Sequence, residues 1–131
     1  MGNPFCHVEL STDDVVKAKK FYKGLFDWKF EAFGPDYTMI KLGKGTGGGM
    51  MPKQMPGQPT MWLPYVEVKD VKKTIAKAKK LGADVKVDYM EIAGGMGSFG
   101  VFVDPTGAGI GVYAQAKKAP KKVKKAKKRK G

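Results

Sequence analysis

Three residue types that often build functional sites are nearly absent from this chain of 131 residues. It contains one cysteine (Cys6), one histidine (His7) and one arginine (Arg129). A single cysteine cannot form an intrachain disulfide, which favours a reducing compartment. The guanidinium fork of arginine grips carboxylates and phosphates better than the point charge of lysine does. A body without arginine therefore argues against a tightly held anionic substrate.

Long apolar segments are also absent. No stretch of about 20 apolar residues could span a bilayer, and the N-terminus has no apolar run of signal-peptide length. The hydrophobic fraction of 42% is typical of a globular protein. These features predict one ordinary domain, or two small modules that share a core, located in the cytoplasm.

Positive charge is concentrated at the C-terminal end. The formal net charge is +13, but residues 116–131 hold ten of the 25 basic residues and none of the 12 acidic ones, so residues 1–115 carry only +3. This segment resembles the lysine-, alanine- and proline-rich tails of linker histones. Such a composition cannot form a core, and it predicts a disordered tail that either binds nucleic acid through its phosphates or merely aids solubility. The basic residues are Lys117, Lys118, Lys121, Lys122, Lys124, Lys125, Lys127, Lys128, Arg129 and Lys130.

The only histidine lies in a segment that predicts a strand. If residues 5–10 are extended, alternation places Phe5, His7 and Glu9 on one face. A second segment, residues 63–68, repeats the pattern with Tyr65 in place of His7 and Glu67 in place of Glu9. We expect the functional site where these two faces meet.

The order of elements also repeats. The acidic and hydroxyl residues at 11–14 predict a helix N-terminus, and apolar residues follow at helical spacing: Val15, Ala18, Phe21, Tyr22 and Leu25. Asp70 predicts the cap of a second helix, whose apolar positions are Val71, Ile75, Ala78 and Leu81. A gapless comparison at an offset of about 62 residues pairs Gly49 with Gly111, which indicates an internal duplication. Each half then reads as strand, helix, strand, strand, strand.

Four features together resemble the vicinal oxygen chelate superfamily, which includes glyoxalase I, bleomycin-resistance proteins and extradiol dioxygenases. They are the segment His7–Leu10 with a capped helix after it, the second strand–helix unit ending Leu81-Gly82-Ala83, the turn Asp104–Gly107 before a last strand, and the duplicated order. The resemblance implies an α+β fold of two tandem βαβββ modules. Their sheets form a cup-shaped mixed sheet with the helices outside, often completed by a second copy. The modules would cover about 3–52 and 61–115, joined by a proline-containing linker at 53–60 and followed by the tail at 116–131.

The resemblance also implies where a metal would bind. Metal-using members place ligands on the first and last strands of each module, which correspond here to His7, Gly49, Tyr65 and Gly111. Only His7 is a usual ligand, so we do not assign glyoxalase I activity. The sequence does not indicate a particular cofactor. A divalent metal is disfavoured because a metal site needs three or more converging donors, and these positions supply only one histidine and one phenol.

The inner-face residues allow a metal-free alternative. His7 would act as a general base oriented by a carboxylate, Glu9 or Glu67, and Tyr65 would donate a hydrogen bond. In a purely structural alternative, both glutamates pair with lysines at the sheet rim and His7 is a hydrogen-bonded core histidine. Cys6 is expected on the opposite, helix-facing side as a buried, inert thiol.

The ligand pocket is expected on the same inner faces. Glycine in a strand centre often marks the close approach of a ligand or of another backbone, although it equally marks a bulge. The predicted lining is Phe5, Gly49, Met51, Gly111 and Tyr113. Three functions stay open: an enzyme centred on His7 and Tyr65, a non-catalytic protein that binds or sequesters a small, mostly apolar molecule, and a nucleic-acid-associated protein localised by its tail. We expect a homodimer in each case.

Overall fold

The computed structural model describes residues 2–116 as one mixed sheet with two helices packed on one face. The elements in chain order are β1 (Phe5–Thr12), α1 (Val15–Leu25), β2 (Lys29–Phe33), β3 (Tyr37–Lys41), β4 (Gly48–Pro52), β5 (Met61–Glu67), α2 (Val71–Lys80), β6 (Asp84–Glu91), a 3₁₀ turn (Ala93–Gly95), β7 (Ser98–Val103) and β8 (Gly109–Ala114). No helix in this range is long and apolar enough to cross a membrane. The predicted nucleic-acid contacts at 117–130 lie outside the described residues.

The strand order confirms the duplicated βαβββ fold. The eight strands lie in the order β2-β3-β4-β1-β5-β8-β7-β6. Within each half the first and last strands pair in parallel, β1 with β4 and β5 with β8. The halves meet where β1 and β5 pair antiparallel, and this pairing places His7 opposite Tyr65. The two segments that the sequence singled out are therefore neighbours at the centre of the sheet.

Both helices begin at the aspartates that the sequence favours. Asp14 accepts a hydrogen bond from the backbone N–H of Lys17 at 2.9 Å, and Asp70 accepts one from the backbone N–H of Lys73 at 3.0 Å. Each cap satisfies a backbone donor that has no partner inside the helix.

Two apolar clusters lie between the helices and the sheet. Under α2, Ile75 is 0% exposed and packs with Val71, Val112 and Ala114. Under α1, the cluster is built on the strand residues Leu10, Ile40 and Met50, against which Val15, Ala18 and Tyr22 pack from the helix. These contacts fix both helices on the same face of the sheet.

One expectation for α1 is wrong. Phe21 is 60% exposed and Leu25 is 58% exposed, so neither belongs to the packed stripe. The ring of Tyr22 lies 5.6 Å from that of Trp62 and directs the helix onto the sheet. Phe21 precedes Tyr22 by one residue, about 100° around the helix, which points it away from this contact.

The turn before β8 is held by one carboxylate. Asp104 Oδ1 accepts hydrogen bonds from the hydroxyl and the backbone N–H of Thr106 and from the backbone N–H of Ala108. These bonds, led by the Thr106 hydroxyl, lower the pKa of Asp104. Gly107 has φ of +98°, a conformation that favours glycine. The sequence predicted this turn, which starts β8 beside β5.

Candidate functional site

Glu9 lies at the centre of a hydrogen-bonded group on the face of the sheet away from the helices, here called the cup face. Its Oε2 accepts a hydrogen bond from Tyr37 Oη at 2.8 Å, and its Oε1 accepts one from Tyr65 Oη at 3.1 Å. Only 13% of the Glu9 side chain is exposed. The two phenols therefore supply hydrogen bonds that a largely buried carboxylate needs.

His7 joins this group through Tyr37. Its Nε2 lies 2.6 Å from Tyr37 Oη and 4.0 Å from Glu9 Oε2. Burial lowers the pKa of His7 below the ordinary value of 6.5, while the nearby Glu9 carboxylate acts in the opposite direction. The imidazole is therefore neutral at pH 7 and can accept a proton. We call His7, Glu9, Tyr37 and Tyr65 the His7 network.

The two phenols act as hydrogen-bond donors to Glu9. Burial, followed by the negative charge of Glu9, raises the pKa of Tyr37 and Tyr65 well above the ordinary value of 10. Both hydroxyls therefore keep their protons in neutral solution. They orient Glu9 and cannot themselves serve as bases.

The glycines on the last strands make room for these rings. A Cβ added at Gly49 would collide with the phenol of Tyr37, and one added at Gly111 would collide with the ring of Tyr65. Both glycines lie on the cup face, Gly49 opposite Glu9 and Gly111 opposite Tyr65. Their role is close approach by a side chain, one of the alternatives that strand glycines allow.

The metal site implied by the family resemblance does not fit these residues. Two of its four positions, Gly49 and Gly111, have no side chain, and tyrosine rings fill the space in which one would lie. Within residues 2–116, no group of three His, Cys, Asp or Glu side chains could hold a metal ion. The donors present are one imidazole, one carboxylate and two protonated phenols, a set that suits hydrogen bonding better than metal binding.

Glu67 is separate from the His7 network, although it shares the cup face with Tyr65. Its Oε2 accepts a hydrogen bond from Gln115 Nε2 at 2.7 Å. The structure thus brings together His7, Glu9 and Tyr65 and leaves Glu67 out. Within residues 2–116, the alternative in which both glutamates pair with lysines is not found: Glu9 bonds to phenols and Glu67 to an amide.

Cys6 lies beside Glu67, on the cup face, so its predicted helix-facing position is wrong. Pairing between β1 and β5 shifts at this point: Phe5 lies opposite Val66 and His7 opposite Tyr65, which leaves Cys6 as an extra residue. Such a bulge breaks the simple alternation of faces. Burial, followed by the charge of Glu67, raises the pKa of the Cys6 thiol, so it stays protonated at neutral pH.

A hollow of about 450 Å³ opens beside Cys6 and Glu67, and no residue of the His7 network lines it. It is lined by Cys6, Glu67, Tyr113, Met96, Gln115 and their neighbours. Tyr113 Oη donates a hydrogen bond to the carbonyl oxygen of Met96 at 2.6 Å and so holds the glycine-rich loop at 93–97 against β8. A second hollow of about 640 Å³ lies at the start of α2, between Lys69, Lys72, Tyr89 and Glu91.

The five residues predicted to line the ligand pocket do not all lie together. Gly49 and Gly111 lie under the tyrosine rings, and Tyr113 lines the smaller hollow. Met51 follows in β4, paired with Ser11. Phe5 is largely exposed at the start of β1, ahead of the shift in strand pairing.

Sequence reasoning missed Tyr37, which connects His7 to Glu9. Tyr37 and Met39 alternate onto the same face, and Met39 pairs with Gly49. A strand glycine leaves room for a large side chain on the neighbouring strand, and Tyr37 lies two residues from Met39, the partner of Gly49. This signal could have indicated the contact if the register of β3 and β4 had been known.

The five central strands of the sheet lack positively charged side chains. β1, β4, β5, β7 and β8 contain no lysine or arginine, in a chain with 25 basic residues. On the cup face these strands present Glu9 and Glu67. The centre of the cup face is therefore without positive side chains of its own.

Comparison with known proteins agrees with this architecture. The chain is 37% identical over 116 residues to CFP32 of Mycobacterium tuberculosis, a protein that carries the name glyoxylase; the match covers 86% of this chain and 43% of that protein. Among solved structures, the hypothetical protein BH1468 from Bacillus halodurans has a TM-score of 0.65 at 14% identity, over 91% of this chain and 99% of that one. The Mn(II)-bound glyoxalase from Novosphingobium aromaticivorans has a TM-score of 0.61 at 16% identity, over 86% of this chain and 38% of that one.

The paired βαβββ modules define a class of proteins that share one fold and differ in chemistry. Residues 5–112 match the model of the Glyoxalase/Bleomycin resistance protein/Dioxygenase superfamily, and the chain belongs to that superfamily. The chain spans less than half the length of the curated relatives that it matches.

Proposed function

We propose that this chain binds a small, mostly apolar molecule on the cup face and that His7 acts on it as a metal-free general base. The observation that supports this most directly is the His7 network: a neutral imidazole beside a carboxylate that two phenols hold in place. A general base needs a basic atom near neutral pH and a partner that stabilises its protonated form. His7 and Glu9 meet both requirements.

The charge of the cup face supports the class of ligand. An anionic ligand would meet Glu9 and Glu67 and no lysine or arginine from the five central strands. Desolvating an anion without a positive partner is costly. The other side chains that the strand registers place on the cup face are mostly apolar, which suits a neutral molecule: Met39, Met51, Leu63, Phe99 and Val101. Phe99 lies edge-on to Tyr65, with their ring centroids 6.3 Å apart.

The chemistry follows from the order of the groups. A proton would leave an acidic C–H or O–H of the ligand and bind to His7, with its electron pair staying on the ligand. The imidazolium formed would lie beside the carboxylate of Glu9, whose Oε2 is 4.0 Å from His7 Nε2. Because both Glu9 oxygens are already oriented by phenols, little reorganisation is needed when the charge appears.

Deuterium exchange tests this proposal. A panel of neutral aryl ketones would be incubated with the full chain in D₂O, and uptake next to the carbonyl followed by proton NMR. We expect protein-dependent exchange that His7→Gln abolishes and that Lys53→Gln, a change at an ion pair with Asp13, leaves unaltered. If the ketones bind but no variant catalyses exchange, the alternative of a non-catalytic binding protein would replace the proposed enzyme.

We also propose that two copies of the chain associate. α1 leaves a group of large apolar side chains exposed: Val16, Phe21, Leu25 and Phe26. The curated relatives are more than twice as long as the stretch they share with this chain, which leaves them room for a second unit of similar size. Analytical ultracentrifugation would test this, with Phe21→Lys expected to shift a dimer towards monomer and Val101→Ala, on the sheet, expected not to.

The nucleic-acid role of the tail and a cytoplasmic location stay proposals from the sequence. The concentration of positive charge in the tail favours nucleic-acid binding, and the single cysteine favours the cytoplasm.

A further inference from the structure

The hydrogen atoms of the His7 network can be assigned by counting donors. A phenol has one proton, and the proton of Tyr37 is donated to Glu9 Oε2 at 2.8 Å. The second contact of Tyr37 Oη, at 2.6 Å from His7 Nε2, must then use a different proton. Only the imidazole can supply it, so Nε2–H donates to a lone pair of Tyr37 Oη.

This assignment leaves the other imidazole nitrogen without a proton. A neutral imidazole carries one N–H, and burial keeps His7 neutral at pH 7. Within residues 2–116, Tyr37 is the hydrogen-bond partner of the ring, through Nε2. Nδ1 therefore retains its lone pair.

We infer that Tyr37 is a positioning residue that holds His7 in the Nε2–H tautomer and makes Nδ1 the atom that receives the ligand proton. The catalytic part of this inference rests on the proposed function, whereas the tautomer does not. When Nδ1 takes up the proton, the ring becomes a cation with two N–H groups. Nε2–H keeps its bond to Tyr37, and no redox partner or leaving group is required.

Gly49 is part of the same arrangement. The phenol of Tyr37 reaches the gap between His7 and Glu9 because position 49, directly opposite Glu9, has no side chain. One competing arrangement exists: Glu9 Oε2, 4.0 Å from Nε2, could move closer and fix the same tautomer without Tyr37. The test must separate these two causes.

The test uses the fact that the chain has one histidine. In ¹⁵N-labelled full-length protein without a histidine tag, long-range proton–nitrogen correlation spectra show one imidazole, so both nitrogens can be assigned without ambiguity. We expect the wild type, above the pKa of His7, to show a protonated Nε2 and an unprotonated Nδ1. In Tyr37→Phe, an Nδ1–H population should appear, and the two nitrogen signals should move towards each other.

Tyr65→Phe is the matched control, because it also removes a phenol from Glu9 but leaves the contact with His7 in place. Its spectrum should keep the wild-type tautomer. A wild type with mixed tautomers, or with protonated Nδ1, would overturn the inference. An unchanged tautomer in Tyr37→Phe would assign the role to Glu9 and remove Tyr37 as the positioning residue.

The spectra are recorded without ligand, so the outcome is independent of the deuterium-exchange assay. A tautomer set by Tyr37 in a protein that catalyses no exchange would reject the proposed chemistry and leave the positioning intact. If exchange is found, Tyr37→Phe should lower its rate constant more than it changes the half-saturating ketone concentration, and should alter its pH profile. A loss of fold would lower the amount of active protein without altering that profile.

Discussion

The phenol of Tyr37 occupies the space beside Gly49 that a Cβ at position 49 would need. This contact links β3 to β4 across the cup face and brings the phenol between His7 and Glu9. The family resemblance implies a metal ligand at the position of Gly49. In this chain a tyrosine from the neighbouring strand takes the space, and the result is a hydrogen-bonded network.

Gly49→Ala should destabilise the protein and disturb the network. Overpacking of this kind costs roughly 1–3 kcal/mol, and we expect a loss of that size in the free energy of unfolding measured with urea. The displaced phenol should also change the imidazole spectrum of His7 in the way that Tyr37→Phe does.

Gly47→Ala is the control for this substitution. A Cβ at position 47 meets only the carbonyl oxygen of Ile40, at 3.6 Å, an ordinary contact. Its effect should be within about 0.5 kcal/mol of zero, as for most substitutions away from packed sites. Equal losses in the two variants would show that the phenol does not depend on a bare backbone at Gly49.

The depressed pKa of His7 predicts how stability depends on pH. Because the pKa of His7 is lower in the folded state than its ordinary value of 6.5, the unfolded chain binds the proton more readily. The contribution of His7 is therefore complete above pH 6.5, and stability is lost as the pH falls from there through the folded pKa.

Thermal unfolding of the wild type and of His7→Gln between pH 8 and pH 5 would measure this effect. The chain has one histidine, so few other side chains titrate in the upper part of that range. We expect the wild type to lose more stability than His7→Gln on acidification. A wild type that gains stability relative to the variant would mean that Glu9 outweighs burial and that the pKa of His7 is raised.

The core under α2 gives a further prediction. Ile75 is fully buried among Val71, Val112 and Ala114. Ile75→Ala should cost about 2–5 kcal/mol of unfolding free energy, because it removes buried methyl groups and leaves a cavity. Leu81→Ala, at a residue 70% exposed, should cost much less. Similar losses in the two variants would contradict the packing of α2 described above.

Much of this fold could be predicted from the sequence because its signals are local or repeated. The caps at Asp14 and Asp70, the turn at Asp104 and the order of elements each depend on neighbouring residues or on the duplication. The pairing of His7 with Tyr65 followed once the two halves were taken as equivalent.

The site was predicted only in part, for two physical reasons. Tyr37 comes from a strand 28 residues beyond Glu9, and its position depends on the register of β3 against β4, which local pattern does not reveal. Cys6 was placed on the wrong face because a strict period of two cannot represent a bulge. Both misses concern how strands align, whereas the predicted element types were correct.

The basic tail predicts a salt-sensitive affinity for nucleic acid that is separate from the cup. Ten positive charges between Lys117 and Lys130, without an aromatic residue, favour binding to phosphates irrespective of base sequence. Deleting residues 116–131 should abolish most of the affinity for a fluorescent single-stranded oligonucleotide, measured by anisotropy at low salt. In the full chain, affinity should fall steeply with added salt, with a log–log slope whose magnitude is at most about 0.7 per neutralised phosphate.

Replacing Lys121, Lys122, Lys124 and Lys125 by glutamine keeps the length of the tail and removes four of its charges. This variant should bind with a shallower salt dependence than the full chain, whereas replacing Lys29 and Lys41 on the sheet should leave the slope unaltered. Because the tail and the His7 network are expected to act independently, none of these changes should move the imidazole signals of His7. Full affinity after deletion of the tail would assign nucleic-acid binding to the folded body or leave the tail as a solubilising segment.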